Sequence, residues 1–250
     1  MKKISFLLII FSLSDFLSGY ELRRLADVPT AGILQRGESS VFTKLYRNNG
    51  MLIGSEVGLF PRFMFGISYG GESIVGNEKP VFHDKVEFSF KFRAIDESPS
   101  VPAVVIGYNS QGHGSYIESE KRYDIKSKGF YLVTSRNWIL WGNIGLHGGL
   151  NYSLEDKEDN DLNFFFGVDK TVGNMLTLIC EYDLALNDND DRVSEDDRFS
   201  GAGKGYLNAG AEIRFTDYLS LRLNAYDLLE NSPNTIGFDR SMMIIFNMTF

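Results

Sequence analysis

Three sets of residues in this sequence have types and spacings that could do chemistry. The first is His113-Gly114-Ser115. An imidazole that takes the proton of a nearby hydroxyl makes it a nucleophile, provided a third group orients the imidazole. Here the pair lies in a Gly-rich stretch and not on an alternating strand. Two-residue matches arise often by accident, so the expectation is that the chain is not an enzyme, with a lipid hydrolase as the least favoured reading. The second set is two acidic runs, 155–161 and 188–197. They carry oxygen ligands for divalent cations but lack the Gly and terminal Glu of a calcium loop, and solvated loops are expected. No His or Cys cluster has metal-ligand spacing, so neither metal nor cofactor is expected.

The third set consists of charges that alternate with apolar residues along extended segments. It comprises Lys44, Glu56, Glu87, Lys91, Arg93, Glu181, Asp183, Glu212, Arg214 and Arg222, five acidic and five basic. A selective open channel shows rings of one sign, whereas a balanced set forms ion pairs and fills the space it faces. His147, flanked by Gly145, Gly148 and Gly149, falls on the same parity and reads as a histidine satisfied within that network.

What must position these charges is a set of strands. Twelve segments alternate or nearly so: 39–48, 51–59, 63–72, 84–95, 102–110, 127–135, 138–153, 162–170, 174–187, 205–215, 218–229 and 240–250. In the fourth, Val86, Phe88, Phe90, Phe92 and Ala94 share one face while Lys85, Glu87, Ser89, Lys91 and Arg93 share the other. Shifting such a strand by one residue drives charge into the apolar side. Segments 102–110 and 127–135 alternate poorly, and their facing is open. The connectors sort by length: 60–62, 96–101, 136–137, 171–173 and 216–217 are short, while 73–83, 111–126, 154–161, 188–204 and 230–239 are long and polar. Only the turn at 49–50 departs from the alternation. An even strand count with short turns on one side and long loops on the other is the pattern of an outer-membrane barrel, and a soluble sandwich has no reason to produce it.

The first residues agree with export. Met1-Lys2-Lys3, an apolar run from Ile4 to Leu13 and small residues near Ser18-Gly19 describe a signal peptide over 1–19, followed by a periplasmic lead-in over 20–37 and a barrel over 38–250. No run after it is long enough for a membrane-spanning helix. The chain has 20 Phe, 12 Tyr, 25 Gly, a single cysteine and a net charge of −8. That balance suits a barrel with aromatic girdles, leaves no internal disulfide and argues against nucleic acid. The lone Cys180 reads as a small apolar residue on a strand face. The final strand carries Ile244, Met248, Phe246 and Phe250 on one face and ends on an aromatic, the expected insertion signal for barrel-assembly machinery. Expected surroundings are outer-membrane lipid and lipopolysaccharide in a Gram-negative-type envelope.

At Pro102-Ala-Val-Val-Ile-Gly-Tyr108, at 110–116, at Ser127-Lys-Gly-Phe-Tyr-Leu-Val133 and at 147–153, with Pro29-Thr30-Ala31 near the start, the chain resembles the YjbH-like outer-membrane family. The resemblance implies an all-β barrel and a non-enzymatic role as an accessory to exopolysaccharide production or export, with exopolysaccharide or its export components as partners. The longer members of that family carry considerably more chain. A narrow passive porin-like channel for small solutes is the alternative. The His-x-Ser spacing at 113–115 is similar to that of outer-membrane phospholipase A, and the likeness extends no further.

Overall fold

The computed structural model describes residues 21–189, 204–232 and 237–250, so the signal peptide and most of the second acidic run lie outside the described residues. The elements are β1 (Glu38–Tyr46), β2 (Gly50–Phe60), β3 (Phe63–Glu72), β4 (Val81–Phe82), β5 (Glu87–Ile95), β6 (Ala103–Asn109), β7 (His113–Ile117) and β8 (Arg122–Ile125). They continue with β9 (Gly129–Ile139), β10 (Asn143–Tyr152), β11 (Asn163–Val172), β12 (Leu176–Asp183), β13 (Tyr206–Arg214), β14 (Leu219–Tyr226) and β15 (Asp239–Thr249). Twelve of these, all but β4, β7 and β8, pair antiparallel with their neighbours, and β1 pairs with both β2 and β15. The sheet therefore closes on itself, giving an all-β transmembrane barrel of the outer-membrane type with no free edge. Among the described residues no helix is long and apolar enough to cross a membrane.

The alternation seen in the sequence sets the two faces. On β15, Met242, Ile244, Phe246 and Met248 point out and are exposed, while Ser241, Met243 and Ile245 point in and are buried. Outward aromatic rings run diagonally across neighbouring strands, with Phe63, Phe90, Tyr108 and Phe130 in successive contact at 6.5, 5.8 and 4.8 Å. Cys180 is exposed on the outward face of β12. The short connections lie at one end with Gly37 and Phe250, where Phe250 N donates to Gly37 O at 2.8 Å. We call this the turn end and the opposite one the loop end. The one tight turn at the loop end joins β1 to β2 through Asn48 (φ 59°) and Asn49 (φ 54°), the left-handed pair that a two-residue hairpin needs and that Asn tolerates.

Three expectations are corrected. The turn placed at 136–137 lies instead at 140–142, because β9 continues in register against β10 as far as Ile139, and the left-handed positions are Trp141 and Gly142. The stretch 113–125, read as part of a long polar connector, is a β7–β8 hairpin folded into the barrel. The lead-in before Gly37, read as periplasmic, runs into the lumen, for reasons that emerge from its contacts.

Candidate functional site

The lumen is closed from the turn end by residues 21–36, which turn back at Asp27. Leu25 N donates to Val28 O at 2.9 Å, and Arg24 bridges to Pro29. One side of this plug is apolar: Leu22, Leu25, Val28, Ala31, Ile33 and Leu34 share a core with Met64, Val105, Tyr131, Val133, Phe165 and Ile179 of the wall. This explains the poor alternation of β6 and β9. Their inward residues, Ala103 and Val105 on β6 and Tyr131 and Val133 on β9, are apolar because they face a plug and not water.

The other side is main chain, and wall charges bind it. Glu181 accepts the N–H groups of Ala26 (3.0 Å), Asp27 (3.0 Å) and Val28 (3.1 Å). Lys91 donates to the carbonyls of Arg23, Thr30 (3.0 Å) and Gly32 (3.1 Å), and Arg93 to Ala31 O (2.7 Å) and Glu21. Arg222 donates to Leu25 O (2.9 Å) and to Glu212 (2.8 Å). The plug's own arginines, Arg23 and Arg24, reach Glu56 at 2.7 and 2.6 Å. Gly58 leaves room for the chain to enter, since a β-carbon there would lie 1.9 Å from Gln35 O.

From the loop end the β7–β8 hairpin fills what remains. Its His113 offers Nε2 to Asp239 (2.8 Å) and Nδ1 to the Lys44 ammonium (2.8 Å), and stacks on Tyr226 with centroids 3.8 Å apart. Lys44 donates and Asp239 accepts, so His113 is the neutral Nε2–H tautomer. Burial and then Lys44 push its pKa below the ordinary histidine value, against the opposing pull of Asp239. Ser115 accepts from Asn48 (3.1 Å), not from His113, and both imidazole nitrogens are engaged elsewhere, so the pair is not assembled as a nucleophile and its base. Tyr123 donates to Glu87 (3.0 Å), and Arg122 makes a bidentate pair with Asp188 (2.6 and 2.9 Å). Lys128 joins plug to wall, 2.6 Å from Asp27 and 2.5 Å from Asp183. Burial raises the Asp27 carboxyl, but the Lys128 charge and hydrogen bond outweigh it and hold the group below its ordinary range. A void of about 10 Å³ between Lys128, Asn151 and Asp183 is no larger than one water.

The ten charges singled out from the sequence all lie on the inward parity of their strands, with Arg214 nearest the turn end. They do not mainly pair with one another, as their balance suggested; of the pairs described above only Glu212–Arg222 joins two of the ten. The plug and the hairpin stand between opposite walls and take many of the other contacts, while Glu181 also holds Asn208 and Asp183 holds Asn163 within the wall. His147 is satisfied on both nitrogens, accepting from Ser135 Oγ at Nδ1 (2.7 Å) and donating from Nε2 to Asp169 (2.8 Å). Sequence reading missed this Ser–His–Asp relay because its members sit on β9, β10 and β11 and meet only through the register that puts Ser135 opposite His147. The one hint is Gly145, where a β-carbon would lie 2.3 Å from Asp169 Oδ1. Ser135 Oγ in turn accepts Ala31 N–H of the plug (2.8 Å), so the relay ends on main chain and holds the plug. Asp27, Lys128, Arg23 and Asp239 were also not foreseen. Among the described residues no group of three or more metal-ligating side chains occurs. At the outer surface, Ile244, Phe246, Met248 and Phe250 face away from the lumen, and Phe250 is 81 % exposed.

No family model matches the chain, and no curated protein matches it. The YjbH-like resemblance therefore rests on its motifs alone. Solved structures to which the chain is similar include the KdgM porin, 7 % identical over 85 % of this chain and 99 % of that one at a TM-score of 0.48. They also include the NanC porin, 9 % identical with the same coverage and score. An outer membrane channel from Pseudomonas putida F1 is 10 % identical over 87 % of this chain and 98 % of that one, at a TM-score of 0.43.

Proposed function

We propose that this protein is a narrow porin-like channel for small solutes in the outer membrane, held closed by its own segment 21–36, with the turn end in the periplasm and the loop end outside. The observation that carries this reading is that the closing segment contributes no strand to the wall and is held largely through its main chain by the side chains of Glu181, Lys91, Arg93 and Arg222. These are polar contacts that water can replace, and the wall they leave behind is ionic, as a solute passage requires.

A second reading, a non-conducting envelope barrel acting as an accessory to exopolysaccharide export, draws support from the apolar half of the plug. Withdrawal would expose Leu25, Val28 and their wall partners to water. Planar-bilayer conductance separates the two. The channel reading expects rare openings from the intact chain and steady steps from a variant lacking 21–36, or from Glu181→Gln with Lys128→Met, each shown to fold by heat-modifiable gel migration. Folded variants that stay silent favour the accessory barrel.

A further inference from the structure

The outward face of the barrel carries almost no charge on its strands. The exceptions are Arg136, Lys170 and Arg240. Arg136 and Lys170, at the turn end, each donate to main-chain carbonyls of nearby turns, at Ser98 O (2.6 Å) and Leu140 O (2.5 Å). Arg240 differs in place and in partners: it is at the loop end and exposed, and its guanidinium lies 5.7 Å from the ring of Phe238 with, among the described residues, no carboxylate against it. Arg47, also exposed, continues the outward parity of β1 just beyond Leu45.

Beside these two arginines the outer wall is hollowed. Ala225 is opposite Arg240 in the ladder and Ala209 is opposite Ala225. In the next row toward the membrane, Leu45 meets Met242, Met242 meets Leu223, and Leu223 meets Ala211. Where alanines replace the long side chains found elsewhere on this face, an open concavity of about 840 Å³ results, with Arg47 and Arg240 among its lining residues. The rim also includes Asp239, whose carboxylate is engaged by His113, and the two arginines above an apolar hollow, on a chain of net charge −8, have the complement of an acyl chain that carries a phosphate at its head.

We propose that this hollow is a binding site for one phosphorylated acyl lipid of the outer leaflet, lipid A, with acyl chain over Ala209, Ala211 and Ala225 and phosphate between Arg47 and Arg240. The site is on the outside of the wall and needs nothing of the lumen. It rests on the part of the proposed reading that puts the loop end in the outer leaflet, and it stands whether or not the channel conducts.

The test is native mass spectrometry of the detergent-solubilised protein after titration with lipid A, with enzymatically dephosphorylated lipid A and with phosphatidylglycerol. The expected result is one retained lipid A per barrel, at least about tenfold weaker retention in Arg47→Gln with Arg240→Gln, and a similar loss for Ala225→Phe, a tenfold change being about 1.4 kcal/mol. The arginine variants sit on an exposed surface and leave the heat-modifiable migration intact, so they decide the matter if Ala225→Phe fails to fold. Equal retention by the double arginine variant, by the dephosphorylated lipid or by phosphatidylglycerol would overturn the proposal, because any of these marks ordinary annular lipid. Lumen conductance measured on the same variants stays unchanged.

Discussion

Asp27, at the tip of the plug, and Lys128, just before β9, meet at 2.6 Å, and this pair ties the segment inserted from one end of the barrel to the wall near the other. The two partners are not equivalent. Lys128 also holds Asp183, so Lys128→Met leaves two buried carboxylates without their cation, at about 3–5 kcal/mol for a broken buried pair. Asp27→Asn leaves Lys128 its second partner and costs about 1–3 kcal/mol. Trypsin cleavage after Arg24, followed with time, checks both: faster in each variant and fastest for Lys128→Met.

The same pair gives an acid limb. A carboxyl held below its ordinary pKa contributes stability that is complete above that ordinary value, about 3.9, and is lost as pH falls through the lower folded one. Protection factors of the plug amides, corrected for the intrinsic exchange rate, should hold from neutral pH to about 5 and fall below about 4. The fall should flatten in Asp27→Asn.

His113 produces a second dependence in a different window. Its folded pKa is lowered, so its contribution is complete above the ordinary histidine value of about 6.5 and is lost as pH falls through the folded value. Charging the ring would put it beside Lys44, with only Asp239 and, further off, Asp27 to compensate. Amide protection factors across residues 113–117, corrected for the intrinsic exchange rate, should therefore fall below about pH 6.5 while those of β10 hold, and His113→Gln should remove the step.

At Gly58 the main chain of the plug lies against the wall. A methyl group there meets the main chain of Gln35 and Leu34, which cannot swing aside as a side-chain tip could. Gly58→Ala should destabilise the closed form by about 1–3 kcal/mol, the range for overpacking, while β2 keeps its pairing. The expected signature is more frequent openings in a planar bilayer with unchanged heat-modifiable migration.

Phe250 has little to lose in the folded barrel beyond its N–H bond to Gly37, since its ring is exposed. Deleting it should reduce the outer-membrane yield several-fold while the protein that does insert melts within a few degrees of the intact chain. Pulse-labelled fractionation and gel shift against temperature measure the two effects separately.

The strands could be read in advance because lipid on one side and charge on the other impose a two-residue period that survives in the sequence, as in Val86 to Ala94. Where that contrast is absent the reading weakened, at β6 and β9, whose inward Val105 and Val133 face apolar plug. The plug itself left no period because it is neither strand nor helix and is held through main-chain groups, which every residue type offers equally. Ser135, His147 and Asp169 illustrate the other limit: each is ordinary in its own strand, and their line depends on a register across three strands that no single segment encodes.

The contacts of the plug also constrain how the cylinder forms. Its partners lie on β2, β5, β9, β12 and β14, spread around the circumference, while the closing ladder pairs Glu38 of β1 with Thr249 of β15. A sheet that sealed first would leave Lys91, Arg222 and Glu181 facing an empty bore and would have to admit a folded segment past Gly58. The expected order is therefore segment first, laid against Lys91, Arg222 and Glu181 while the sheet is still open, with the β1–β15 ladder the last to zip.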